Sequence, residues 1–107
     1  LKYMKLSNTE TIANQTIKET LGIARGSTVR SRNIGRDIFA SLKNIVGGEI
    51  EEYTKLQADA REQALQRMIE DAQKLEADAV VNVRFTTSVV AQGASEMLAY
   101  GTAVKFE

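Results

Sequence analysis

From Thr16 to Ala24, apolar Ile17, Leu21 and Ile23 fall on one side of a period-two pattern, which predicts a strand. Arg25-Gly26-Ser27 follows, and a glycine–serine step favours a turn, so the strand is expected to end there, with Val29 opening a second short extended piece. The period then changes. Ile34, Ile38, Phe39, Leu42, Ile45 and Val46 recur at helical spacing, predicting a short helix over 34–46 with Asn33 as N-cap and Gly47-Gly48 as its stop. A longer helix is expected from about Glu49 to Leu75, where Tyr53, Leu56, Ala60, Ala64, Met68, Ala72 and Leu75 are spaced by three or four. Much of that stripe is alanine, so the helix can lie close against a sheet.

After Glu76-Ala77-Asp78 the period returns to two. Val81, Val83, Phe85 and Val89 are expected on one face of a strand, with Asn82, Arg84, Thr86 and Ser88 on the other. Residues 91–96 form the expected loop. A last strand over about 97–106 places Leu98, Tyr100, Val104 and Phe106 on one face and small Ala99, Gly101 and Ala103 on the other, where something must approach closely. The order β, helix, helix, β, β describes one α+β domain over 1–107, with a small, mostly antiparallel sheet. Such a sheet has exposed edges, and no proline blunts them, so pairing with further copies of the chain is expected.

Composition narrows the chemistry. Lys plus Arg and Asp plus Glu are both 14, and the zero net charge argues against a dedicated nucleic-acid binder, which needs a basic excess to displace counterions. It also lowers the repulsion between copies. The absence of cysteine and histidine removes thiolate nucleophiles, disulfides, the commonest general base and the usual soft-metal ligands. Met4, Met68 and Met97 are dispersed and read as core or terminal residues. No apolar run approaches the ~20 residues that span a bilayer, and the first residues lack the apolar stretch of a signal peptide, so a cytoplasmic location is the expectation. No P-loop, GxGxxG or nucleophile elbow occurs, and Ser41 and Lys43, two apart on a helix, do not face each other. The reading leans away from an enzyme and implies no cofactor.

Two constellations could carry a ligand. Arg25, Arg30, Arg32 and Arg36 lead into a helix N-terminus at Gly35, where guanidinium groups beside free backbone N–H groups suit an anion. The plainer reading pairs these arginines with carboxylates such as Asp37, or with a neighbouring copy. Glu49, Glu51 and Glu52 could together hold a hard cation. Their plainer role is to complement the dipole at the start of the long helix, since successive helical residues splay around the axis. The polar face Asn82, Arg84, Thr86 and Ser88 reads as solvated, or as the lining of a channel.

Asn33-Ile34-Gly35-Arg36-Asp37-Ile38-Phe39-Ala40, followed by Ile45-Val46-Gly47-Gly48-Glu49, resembles the signature of the YbjQ-like family of small bacterial and archaeal proteins. Ala58-Asp59-Ala60-Arg61, Ala77-Asp78-Ala79-Val80-Val81 and Tyr100-Gly101-Thr102-Ala103-Val104 extend the likeness along nearly the whole chain. The resemblance implies a dodecin-like α+β subunit with one short and one long helix, five copies joining into a ring by pairing strands between neighbours. It also implies a heavy-metal-binding label, for which this chain lacks the soft ligands. Within the signature, Asp37, Gly47 and Gly48 read as capping and turning residues. Glu76 stands where the family has a helix-capping glycine, so it is expected either to accept backbone strain or to end the helix differently, at a cost of about 1 kcal/mol.

Overall fold

The computed structural model describes residues 4–30, 51–91 and 94–107. The expected helix over 34–46, with Asn33, Asp37, Gly47 and Gly48, lies outside them. Within them the elements are β1 (Lys5–Leu6), β2 (Ile17–Arg30), α1 (Glu51–Lys74), β3 (Ala79–Ala91) and β4 (Ala94–Phe106). The strands form one four-stranded sheet in the order β1-β3-β4-β2, with α1 across one face. The β2–β4 and β3–β4 pairs are antiparallel, while β1 runs parallel to β3 through Lys5–Ala79 and Leu6–Val80. The sheet is therefore mixed, and β1 was not visible in the sequence pattern.

Small residues bring α1 onto the sheet. Ala60, Ala64, Met68 and Ala72, four apart along the helix, are all buried. They face Ala24 and Gly26 of β2 and Ala99 and Ala103 of β4, and Met4, Val80 and Met97 complete the core on this side. The close approach expected at Ala99, Gly101 and Ala103 is thus made, by the helix and, at Gly101, by β3, whose Val80 Cγ1 would lie 2.6 Å from an added Cβ. All three methionines are buried, as their dispersion suggested.

The expected turn at Arg25-Gly26-Ser27 is not there. β2 continues through it to Arg30, because Gly26 admits the backbone of α1 rather than bending its own chain. The Thr28 hydroxyl, buried, then donates to Ala60 O at 3.2 Å. The alternation of Ile17, Leu21 and Ile23 is also broken. A register shift between Thr20 and Gly22, with Gly22 at φ 134°, packs Leu21 under the helix, sends Ile17 to the opposite face and leaves Ile23 68% exposed.

A second bulge corrects the reading of β3. Asn82 takes φ 54° and the register shifts between Val81 and Arg84, so Val81 and Val83 point to opposite faces. Beyond it, Arg84, Thr86 and Ser88 share a face as expected, opposite Tyr100, Leu98 and Glu96. The six-residue loop over 91–96 shrinks as well, since Ala91 pairs with Ala94.

Among the described residues, the face away from α1 is covered only at one end. There Ala79, Val81 and Val104 are buried under Ile12, Ile17 and Phe106, with the segment 7–16 folded across them. Ser7 N and Val83 N–H groups anchor this segment through Val80 O and Ser7 O, both at 3.0 Å.

Helix α1 ends at Lys74, so Leu75 falls in the following turn and is exposed instead of continuing the stripe. Ala77 N donates to Ala72 O (3.2 Å) and Glu76 N to Gln73 O (3.0 Å), the paired bonds of a Schellman cap. Glu76 sits at its left-handed position with φ 61°, the first of the two outcomes expected there. Replacing Glu76 by Gly relieves the Cβ clash, and the Glu76→Gly variant is expected to gain about 1 kcal/mol in urea unfolding. A loss of stability would show that the glutamate side chain has a role outweighing its strain.

Candidate functional site

The long strand β2 separates the arginines that the sequence groups together. Arg25 and Arg30 occupy one extended run, five residues and about 16 Å apart. Arg25 is exposed on the face away from α1; the side chain of Arg30 is not described, and Arg32 and Arg36 lie outside the described residues. Glu49 also lies outside them, and Glu51 and Glu52 open α1 without described side chains. Among the described residues no group of three or more aspartates and glutamates could hold a metal ion.

Strand pairing builds a different arrangement. Arg25 of β2 and Arg84 of β3 both stand opposite Tyr100 of β4, making one cross-strand row on the open face. Ser27–Leu98–Thr86 and Val29–Glu96–Ser88 form the rows beside it. Tyr100 is 37% exposed, and both arginines are exposed. Arg84 Nη1 donates to Asn8 O (2.9 Å) and Val83 O (3.0 Å), which holds its guanidinium at the border of the covering segment. Sequence reasoning had placed Arg84 on a polar face and Tyr100 on an apolar one. No sequence signal links them, because the register of two strand pairs brings them together.

The sheet edges differ in character. On β2, the Arg25 N–H donates to Asp71 Oδ2 (3.0 Å) and Ser27 O accepts from Arg67 Nη1, so side chains of α1 close part of that edge. On β3, β1 reaches only Ala79 and Val80, leaving the strand beyond the bulge without a partner on that side among the described residues. Phe85, 45% exposed, and Val89, 80% exposed, lie along this stretch on the same face as α1, opposite Ala99 and Ser95, but beyond the part of that face the helix covers.

A cavity of about 350 Å³ lies against the segment after β1, beside Lys5, Ser7, Thr9 and Thr11. The Thr9 hydroxyl donates to Thr11 O (2.6 Å), which makes Ser7 the donor to Thr9 Oγ1, while Thr9 N–H donates to Ser7 Oγ (3.0 Å). The Ser7 and Thr9 protons are therefore spent within the segment, and this hollow aims neither of them at a ligand. Among the described residues no helix is long and apolar enough to cross a membrane.

Comparison with known proteins gives a uniform picture. The model of the YbjQ family, described as "Putative heavy-metal-binding", matches residues 4–107. A UPF0145 protein of Halorubrum lacusprofundi is 60% identical over 102 residues, covering 95% of this chain and 98% of its own. One from Archaeoglobus fulgidus is 59% identical over 104 residues, covering 97% and 96%. A crystal structure from Pediococcus pentosaceus, of a DUF74-family protein of unknown function, superposes with a TM-score of 0.64 at 16% identity, over 97% of this chain and 98% of that one. That likeness extends the fold alone.

Proposed function

Given that the chain belongs to the YbjQ family, whose members carry no established activity in the relatives it matches, we propose that it works in the cytoplasm as a ring-forming, non-enzymatic binding module. The observation that carries this reading is the open stretch of β3 with Phe85 and Val89 exposed beside it. An unpaired edge next to apolar side chains that α1 leaves uncovered costs free energy in water, and a neighbouring copy relieves both at once. The opposite side of the sheet, β2 backed by α1, is a different surface. Contact between unlike surfaces is heterologous, and it closes into a ring when the rotation between copies permits. Shape supports association too, since the radius of gyration is 17.0 Å, against about 13 Å for a compact globule of this length.

Five copies, as the dodecin-like resemblance implies, give five times the 11.8 kDa protomer mass in light scattering. Placing charge on the contact with Phe85→Lys and Val89→Lys is expected to yield monomers at micromolar concentration with the helical signal of circular dichroism retained. A wild-type monomer at that concentration would sink the ring.

Within the ring, the arginine-bearing segment Arg25, Arg30, Arg32 and Arg36 is repeated around the axis and offers an anion a concentrated positive field. Its support is the exposed Arg25, whose side chain has no acidic partner among the described residues. The Arg30→Ala, Arg32→Ala double variant is expected to lose pyrophosphate binding. Unchanged affinity would dismiss the segment as a site. The metal label of the family has no counterpart in the ligand set, since neither cysteine nor histidine occurs in the sequence.

A further inference from the structure

Two guanidinium groups flank one half-exposed aromatic ring on the open face of the sheet. Adjacent strands are about 4.8 Å apart, so the Arg25 and Arg84 backbones are separated by roughly 10 Å with Tyr100 between them. Neither arginine side chain forms an ion pair among the described residues. Asp71 takes the backbone N–H of Arg25, not its guanidinium. The carboxylate that these rows do hold, Glu96, is four residues along β4, about 13 Å away. The row thus carries two positive charges without a counter-charge at its own level. Arg84 is fixed by its bonds to Asn8 O and Val83 O, so one half of the row is ordered before any ligand arrives.

We propose that Arg25, Tyr100 and Arg84 form a binding site for a small phosphate-bearing aromatic ligand of the nucleoside monophosphate class, in which a flat base and a tetrahedral phosphate are joined through ribose. The base stacks on Tyr100, and the phosphate reaches a guanidinium at either side, where planar donors match its oxygens. Sheet surfaces that display an aromatic side chain beside cations use this combination for flat anionic ligands. Pairing through strand edges leaves the face itself free, so each copy in a ring keeps one such row. A second copy seated face to face would have to bury both guanidinium groups, which is costly unless each is paired. The inference rests on the reading that Arg25 meets an anion, and it adds Tyr100 and Arg84 from outside the arginine-bearing segment.

Calorimetry of the full chain at low salt with adenosine monophosphate, adenosine and inorganic phosphate tests it. The monophosphate is expected to bind at least about tenfold tighter than either fragment, because stacking and charge act together. Tyr100→Leu should weaken the monophosphate about tenfold and leave phosphate unchanged, while Arg25→Gln should weaken both. No binding of the monophosphate, or affinity indifferent to Tyr100→Leu, would overturn the site. So would a fall in assembly mass for either variant, which would make this face an interface between copies. Phosphate or pyrophosphate binding that depends on Arg30 and Arg32, with no effect of Tyr100→Leu, would leave the anion reading of the segment standing and remove this one.

Discussion

Gly26→Ala is expected to be the most damaging single-atom change in the protein. An added Cβ would fall inside the contact distance of Met68 N, 2.5 Å from Ala64 O and 2.6 Å from Arg67 C. All three are helix backbone, so no rotamer change can make room, and α1 must lift from β2. Lifting it also pulls Arg67 and Asp71 from the edge bonds at Ser27 and Arg25, and Ala60 from the buried Thr28 hydroxyl. A loss of about 3 kcal/mol is expected, at the upper end of overpacking costs. Against a typical total of about 5–15 kcal/mol that is a large fraction, readable as a fall in the urea midpoint. A Gly26→Ala protein within about 0.5 kcal/mol of wild type would mean that helix and strand are less closely apposed than described. Gly22 offers the contrast. Nothing lies within 4 Å of its added Cβ, but its φ of 134° disfavours a side chain, so Gly22→Ala should cost only about 1 kcal/mol.

The second large effect is expected at Met68, which is fully buried at the centre of the same interface. Met68→Ala removes most of the side chain from a site whose neighbours are already alanines, so little can collapse into the space. The expected loss is about 2–5 kcal/mol, whereas Met68→Leu, close in volume, should cost less than about 1.5 kcal/mol. Equal losses for the two variants would contradict a packing origin. Since Gly26 lies against the Met68 backbone, Met68→Ala and Gly26→Ala share a partner, and their effects should not add.

These two positions illustrate what was legible. The helix stripe Ala60, Ala64, Met68, Ala72 could be read at its spacing, and so could the small face of β4 against which it packs. Of the two outcomes the family resemblance left open at Glu76, strain or a different helix end, the positive φ shows the first. Gly26, read as a turn, illustrates the limit. Glycine serves a bend and a close approach equally well, and a local pattern cannot distinguish them until the helix is in place. The bulges at Leu21 and Asn82 defeated period-two reading for a related reason. One extra residue reverses the face of everything after it, and hydrophobicity in a short strand does not mark where that residue falls. β1, two residues long, has too little pattern to be seen at all.

The candidate site divides in the same way. From the sequence came the excluded chemistry, since cysteine and histidine are missing whatever the fold, and with it the α+β class and the family. The arginine cluster was a neighbourhood along the chain. In space, β2 strings its first two members along an extended run, and the sheet register sets Arg25 beside Tyr100 and Arg84 instead. Periodicity and residue type are local, so one sequence is enough to show the long helix, the main strand-forming stretches and the chemistry that is absent, but not β1 or where a strand ends. Which residues meet across strands, and which edge stays open, depend on register and on where the helix lies. Those are decided by packing between segments tens of residues apart, and only the tertiary structure contains them.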